Sequence, residues 1–178
     1  MRIKESHEII IDQHPYHETL NTELIKDAGN ADYGVPYAQN AGASHIHARM
    51  SAYTTRSRSI DLLSSWMRSL LHRRYVWLSK EKIEICNTWF NRYDVDDYAT
   101  SHDHIPFPFS FNYFIKCPKG AAPFVFTGSG KRIKPEEGKV IIFPSCIRHH
   151  VPKNKCKDRI VLAGDIALGS NFYGLGKR

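Results

Sequence analysis

Three histidines form the best-placed group of side chains able to do chemistry. His102 and His104 stand two apart in Ser101-His102-Asp103-His104-Ile105, at the end of a stretch with strand character. There, alternation puts both imidazoles on one face and Asp103 on the other. Two imidazoles on one face can chelate a metal ion. A third ligand can come from His149 or His150, in Phe143-Pro144-Ser145-Cys146-Ile147-Arg148-His149-His150-Val151, and on a regular strand only one of these neighbours faces the same cavity. The His-x-His spacing recurs at His45-Ile46-His47, in a Gly- and Ala-rich segment without strand pattern, where it reads as surface or loop-packing histidine. A competing set, Cys146, His149, His150 and Cys156, would make a structural zinc site, but it lacks the paired spacing of zinc modules.

The elements that must position these ligands change character near Lys80. Before it, Glu8-Ile9-Ile10-Ile11 reads as a short strand and Pro15 can open a helix with Tyr16, Leu20, Leu24 and Ile25 on its apolar side, stopping at Gly29-Asn30. Residues 31–55 read as irregular. From Ser59 to about Tyr75, Ile60, Leu63, Met67, Leu70 and Leu71 recur at helical spacing. Beyond Lys80, strands are expected over 82–93, 98–104, 109–117, 122–127, 138–143, 147–151 and 158–166. This predicts one domain over 1–178, with a largely helical support over 1–80, a mainly β core over 81–168, sandwich or jelly roll, and a tail over 169–178. In the first of these strands, alternation puts Ile83, Ile85, Asn87, Trp89, Asn91 and Tyr93 on one face, expected to be interior. Asn87 and Asn91 would then face a polar cavity, or else a wet sheet edge.

Composition sets the outer bounds. At 178 residues the chain can bury roughly 70% of its unfolded surface without help from disulfides or a structural metal, so a metal site is more readily explained as functional. No run approaches the length of a membrane span, and the N-terminus leads into no signal-like apolar segment. Four scattered cysteines without a CxxC pair point to reduced thiols, and the expectation is a cytoplasmic protein. Lys and Arg number 25 against 18 Asp and Glu, a net charge of +7, which favours acidic partners. The basic residues fall in small groups rather than a long run, so nucleic acid is not favoured as a partner.

Trp89-Phe90-Asn91-Arg92-Tyr93, Asp97-Tyr98 and His102-Asp103-His104, followed by Ser110-Phe111-Asn112-Tyr113-Phe114-Ile115, resemble the core of small bacterial and phage dioxygenases. These are the 2-oxoglutarate- and Fe(II)-dependent enzymes of the prolyl 4-hydroxylase-like branch. Gly138-Lys139-Val140-Ile141-Ile142-Phe143-Pro144-Ser145 with Arg148-His149 is similar to the segment that bears their distal histidine, and Arg159 follows His149 by ten residues. The resemblance covers residues 83–166 and implies a jelly roll, or double-stranded β-helix, that binds Fe(II) through His102, His104 and His149. It further implies 2-oxoglutarate as cosubstrate, with its far carboxylate on Arg159 and hydrogen bonds from Tyr93 and Tyr113. The implied reaction is hydroxylation of a substrate, prolyl or small-molecule, that the sequence does not identify.

Two departures stand out. The wider family's triad is His-x-Asp with a distal His, and the Asp position here is His104, so either three histidines bind the metal or a bulge turns Asp103 inward in its place. Gly164-Asp165 stands where the small group has Phe-Asn, which affects the expected end of the cosubstrate pocket. A non-catalytic jelly-roll metal-binding module is the main alternative to an enzyme. A nucleic-acid demethylase is disfavoured, because no Arg follows Arg159 until Arg178.

Overall fold

The computed structural model describes residues 6–33 and 45–169, so parts of the expected irregular segment and of the C-terminal tail lie outside the described residues. β1 (Ile10–Gln13) and α1 (His17–Asn30) come first, then β2 (Ile46–His47), β3 (Arg49–Met50), α2 (Arg58–Arg74) and one 3-10 turn (Val76–Leu78). The strand-rich part follows: β4 (Ile83–Tyr93), β5 (Tyr98–His102), β6 (Phe109–Lys116), β7 (Phe124–Phe126), β8 (Arg132–Ile133), β9 (Lys139–Pro144), β10 (His149–Val151) and β11 (Arg159–Leu168). All expected strands and both expected helices are present. β2, β3 and β8 were not expected, because two-residue strands are too short to display a period.

All strand pairs are antiparallel, in a six-stranded sheet ordered β1-β9-β6-β11-β4-β3 and a five-stranded sheet ordered β2-β5-β10-β7-β8. Together they make the expected jelly roll. The central strands of the larger sheet are buried on both faces, which is why they read as nearly continuous apolar runs. Along β9, Val140 and Ile142 face the helices while Ile141 and Phe143 face the second sheet; along β11, Ile160 and Leu162 divide from Val161 in the same way.

α2 begins where Ser57 accepts a hydrogen bond from the Ile60 amide at 3.2 Å, and carries His72, Arg73 and Arg74 in its last turn, opposite the negative end of the helix dipole. Its Ile60, Leu63, Met67, Leu70 and Leu71 are buried against the larger sheet together with Leu20 and Leu24 of α1. Each such side chain contributes about 1.5–3 kcal/mol by leaving water. Asn21 pins α1 to the sheet: its Nδ2 donates to the Ile115 carbonyl at 2.8 Å and its Oδ1 accepts from the Tyr113 hydroxyl at 2.9 Å.

β4 departs from strict alternation. Its register against β11 shifts between Asp165 and Ile166, leaving Cys86 as an extra residue. This bulge reverses the faces, so Ile83 and Ile85 pack with the helices, whereas Trp89, Asn91 and Tyr93 look between the sheets. Asn91 therefore faces an interior cavity on a central strand, not a wet edge.

Candidate metal and cosubstrate site

His102 and His149 are direct cross-strand partners on β5 and β10, with ring centroids 4.4 Å apart. β5 ends at His102, so His104 is not brought to the same side by alternation. It is held there by contacts: its amide donates to the Ser145 carbonyl at 2.9 Å, its ring stacks on Trp89 with centroids 5.6 Å apart, and its Nδ1 lies 2.7 Å from Asp165 Oδ1. Ser145 also meets Ser110 through the two hydroxyls at 2.6 Å.

One ring nitrogen from each of His102, His104 and His149 lies within 4.8 Å of those of the other two. Each Nδ1 already faces an oxygen: Thr100 O at 2.8 Å for His102, Ile147 O at 3.1 Å for His149, and the Asp165 carboxylate for His104. Donation to these acceptors puts the proton on Nδ1 and leaves the Nε2 lone pair free to coordinate. Burial pushes His102 down to about 4, only partly opposed by its bond to Thr100 O. Burial, reinforced by His102 and His104, drives His149 well below the ordinary histidine range. His102 and His149 are therefore neutral at pH 7, the form that binds metals. This preoriented donor set fits an Fe(II) ion.

Asp103 does not join them, because its carboxylate turns away to Arg148 Nη1 at 3.2 Å. The competing zinc set is not assembled either. Cys146 is exposed, His150 bonds Thr127, and Cys156 packs against Asn154; among the described residues the three histidines are the one group gathered for a metal. His45 lies closer to the site than its loop context implied, stacked on His102 with centroids 5.3 Å apart, while His47 stacks on Tyr98.

The histidines open onto a small cavity between the sheets, of about 30 Å³, lined also by Trp89, Asn91, Tyr93 and Asn112. Trp89 Nε1, Asn91 Oδ1 and Asn112 Nδ2 are buried without hydrogen-bond partners. Arg159 sits opposite Tyr93 across β11 and β4, is fully buried, and has its guanidinium 4.6 Å from the centre of the Tyr93 ring. None of its three nitrogens has a hydrogen-bond acceptor. Burial pulls its pKa down, against the opposing influence of Tyr93 and Cys117 beside it.

Tyr113 requires a correction. It lies on the face of β6 that meets the helices and spends its hydroxyl on Asn21, so it cannot reach a cosubstrate between the sheets. Its neighbour Asn112 faces the cavity instead. Gly164-Asp165 also lies elsewhere than expected, at the histidine end of β11 and not beside Arg159. Gly164 is packed so closely under Phe111 that a Cβ would come within 2.3 Å of Asn87 O.

No protein-family model matches the chain, and no curated protein matches it in sequence. Solved structures do match. The viral collagen prolyl hydroxylase of Paramecium Bursaria Chlorella virus-1, in its 2OG complex, is 16% identical and superposes with a TM-score of 0.67 over 93% of this chain and 97% of its own. An oxidoreductase of the 2OG-Fe(II) oxygenase family from Burkholderia pseudomallei is 14% identical, with a TM-score of 0.65 over 89% of this chain and 84% of its own. The Trichoplax adhaerens prolyl hydroxylase in complex with a hypoxia inducible factor peptide fragment is 15% identical, with a TM-score of 0.68 over 96% of this chain and 87% of its own. A nearly full-length superposition on all three, joined to the two-sheet topology, gives this chain the jelly-roll fold of the prolyl hydroxylases and 2OG-Fe(II) oxygenases.

Proposed function

We propose that the chain is a 2-oxoglutarate- and Fe(II)-dependent oxygenase that hydroxylates a prolyl or small-molecule substrate. The observation that carries this reading is Arg159: a guanidinium with no acceptor, buried in the jelly roll that also gathers three histidines. Leaving such a cation unpaired costs several kcal/mol, which a dianionic ligand offsets when its far carboxylate docks there. His102, His104 and His149 would hold Fe(II), and the Tyr93 hydroxyl would donate to the cosubstrate. Trp89 Nε1, Asn91 Oδ1 and Asn112 Nδ2 supply donors and an acceptor facing the cavity. Bound Fe(II) supplies the redox centre at which dioxygen and 2-oxoglutarate become succinate and carbon dioxide while one C–H of the substrate becomes C–OH. This balances both atoms of the dioxygen.

The fold neighbours include one in a 2OG complex and one with a bound peptide fragment, which supports the cosubstrate and makes peptidyl proline the first substrate to try. We read residues 1–178 as one domain, and the four free cysteines support a reducing, cytoplasmic setting. No described helix is long and apolar enough to cross a membrane.

The test is oxygen-dependent succinate formation from 2-oxoglutarate with added Fe(II), which should be abolished by His149→Ala. Arg159→Ala should chiefly raise the 2-oxoglutarate concentration required, by at least tenfold. Metal binding without any succinate, across peptide and small-molecule substrates, would favour the non-catalytic module instead.

A further inference from the structure

Among the described residues only two side chains that carry a full charge are buried, Arg159 and Asp165. Both lie on β11, six residues apart and hence on the same face. The cation has the Tyr93 and Phe114 rings beside it and no carboxylate, whereas the anion is fully engaged. Asp165 Oδ1 takes His104 Nδ1 at 2.7 Å and Ser110 Oγ at 3.2 Å, and Oδ2 accepts Asn87 Nδ2 at 3.0 Å. The three candidate ligands are not backed alike. His102 and His149 face peptide carbonyls, and His104 alone faces a carboxylate.

We infer that Asp165 is a positioning residue that supplies, through His104, the negative charge the three-histidine site lacks among its own ligands. A carboxylate behind a ligating imidazole fixes its tautomer and ring plane and raises its basicity toward the metal. It compensates the dication without occupying a coordination position. The local fold is built to deliver it. The β4 bulge lies where Asp165 pairs with Asn87, and Gly164 admits the Phe111 ring that packs beneath the strand. Ser110 is itself tied to Ser145, whose carbonyl holds the His104 amide. Asp165 and His104 are thus held in one network from both sides. This also accounts together for the two departures in the sequence, a histidine at 104 and an aspartate at 165.

The inference rests on the metal reading above, and its test keeps the two apart. Zn(II) and anaerobic Fe(II) are titrated into the wild-type chain and into Asp165→Asn, which keeps the shape and one acceptor oxygen but removes the charge. The expected result is a 10–100-fold weaker affinity in the variant. Equal affinities would overturn the role of Asp165 while leaving the metal site standing, whereas a wild-type chain that takes up neither ion would overturn both. If Asp165→Asn does not fold, proton–nitrogen NMR of the Zn(II)-loaded wild type decides. The His104 Nδ1–H should resonate furthest downfield of the three ligand imidazoles, since its acceptor alone is a carboxylate. A His104 proton among or upfield of the other two would sink the assignment.

Discussion

At the scale of the residue, Arg159 and His149 are buried polar side chains whose cost a bound ligand or metal changes. Arg159 is the clearer case, since an unpaired buried guanidinium lowers stability unless something binds it. Arg159→Met, which fills similar volume without charge, should raise the ligand-free protein's stability by about 1–4 kcal/mol and abolish stabilisation by 2-oxoglutarate. Thermal unfolding with and without 2-oxoglutarate checks both halves, and a methionine variant less stable than the parent would contradict the assigned role. His149 is packed between Phe124 and Phe143, with ring centroids at 4.8 and 4.9 Å. His149→Ala should therefore lower stability by roughly 2–4 kcal/mol through the cavity it leaves, as well as removing the metal-induced rise in Tm. His102, His104, His149 and Asn91 were marked in the sequence by residue type and spacing, and Arg159 by the family resemblance. Asp165 and Asn112 were not, because nothing in their spacing relates them to the histidines.

At the scale of the element, Tyr113 and Asn112 show how one strand divides its labour. β6 is buried on both sides, so its alternation separates two faces without saying which faces the cavity. Tyr113→Phe should cost about 1 kcal/mol by leaving Asn21 Oδ1 without its donor, and should leave the 2-oxoglutarate requirement unchanged. A shifted requirement would return Tyr113 to the site. The bulge in β4 could not be foreseen either, since the run from Ile83 to Tyr93 alternates without a break in the sequence. Gly164→Ala should destabilise by roughly 1–3 kcal/mol, seen as a lower urea midpoint at unchanged slope, because the added Cβ meets Asn87 backbone and the Phe111 ring. The helices were the easiest elements to place: α2 spans 17 residues with a Ser cap and a regular apolar stripe.

For the molecule as a whole, burying neutral histidines sets its response to acid. His102 titrates at about 4 in the fold against about 6.5 when unfolded, and His149 is lowered as well. Between those two pH values the unfolded chain binds more protons than the native one, so stability falls as pH falls through that window. The metal-free protein should lose urea resistance from about pH 6.5 toward pH 4. His102→Gln should flatten part of that loss, and bound metal should move the decline to lower pH by competing with protons. An acid response identical in the His102→Gln variant would show that this histidine does not govern it. The two-sheet arrangement explains why a site so dependent on burial is possible here: the helices cover one face of the larger sheet and leave the opposite face to enclose the cavity.

The family resemblance in the sequence pointed to the jelly-roll class, the histidine set and Arg159, and period-2 and helical spacing determined the order of the principal elements and the alternation along them. These are properties of order along the chain, and local geometry converts them directly into faces. The tertiary structure alone decided that Tyr113 serves the helices and that Asp165 stands behind His104. Each of these depends on which layer a doubly buried strand presents to which neighbour. Alternation separates the two faces of such a strand, but when both are covered only the packing of one sheet on the other, and of the helices on the first, tells them apart.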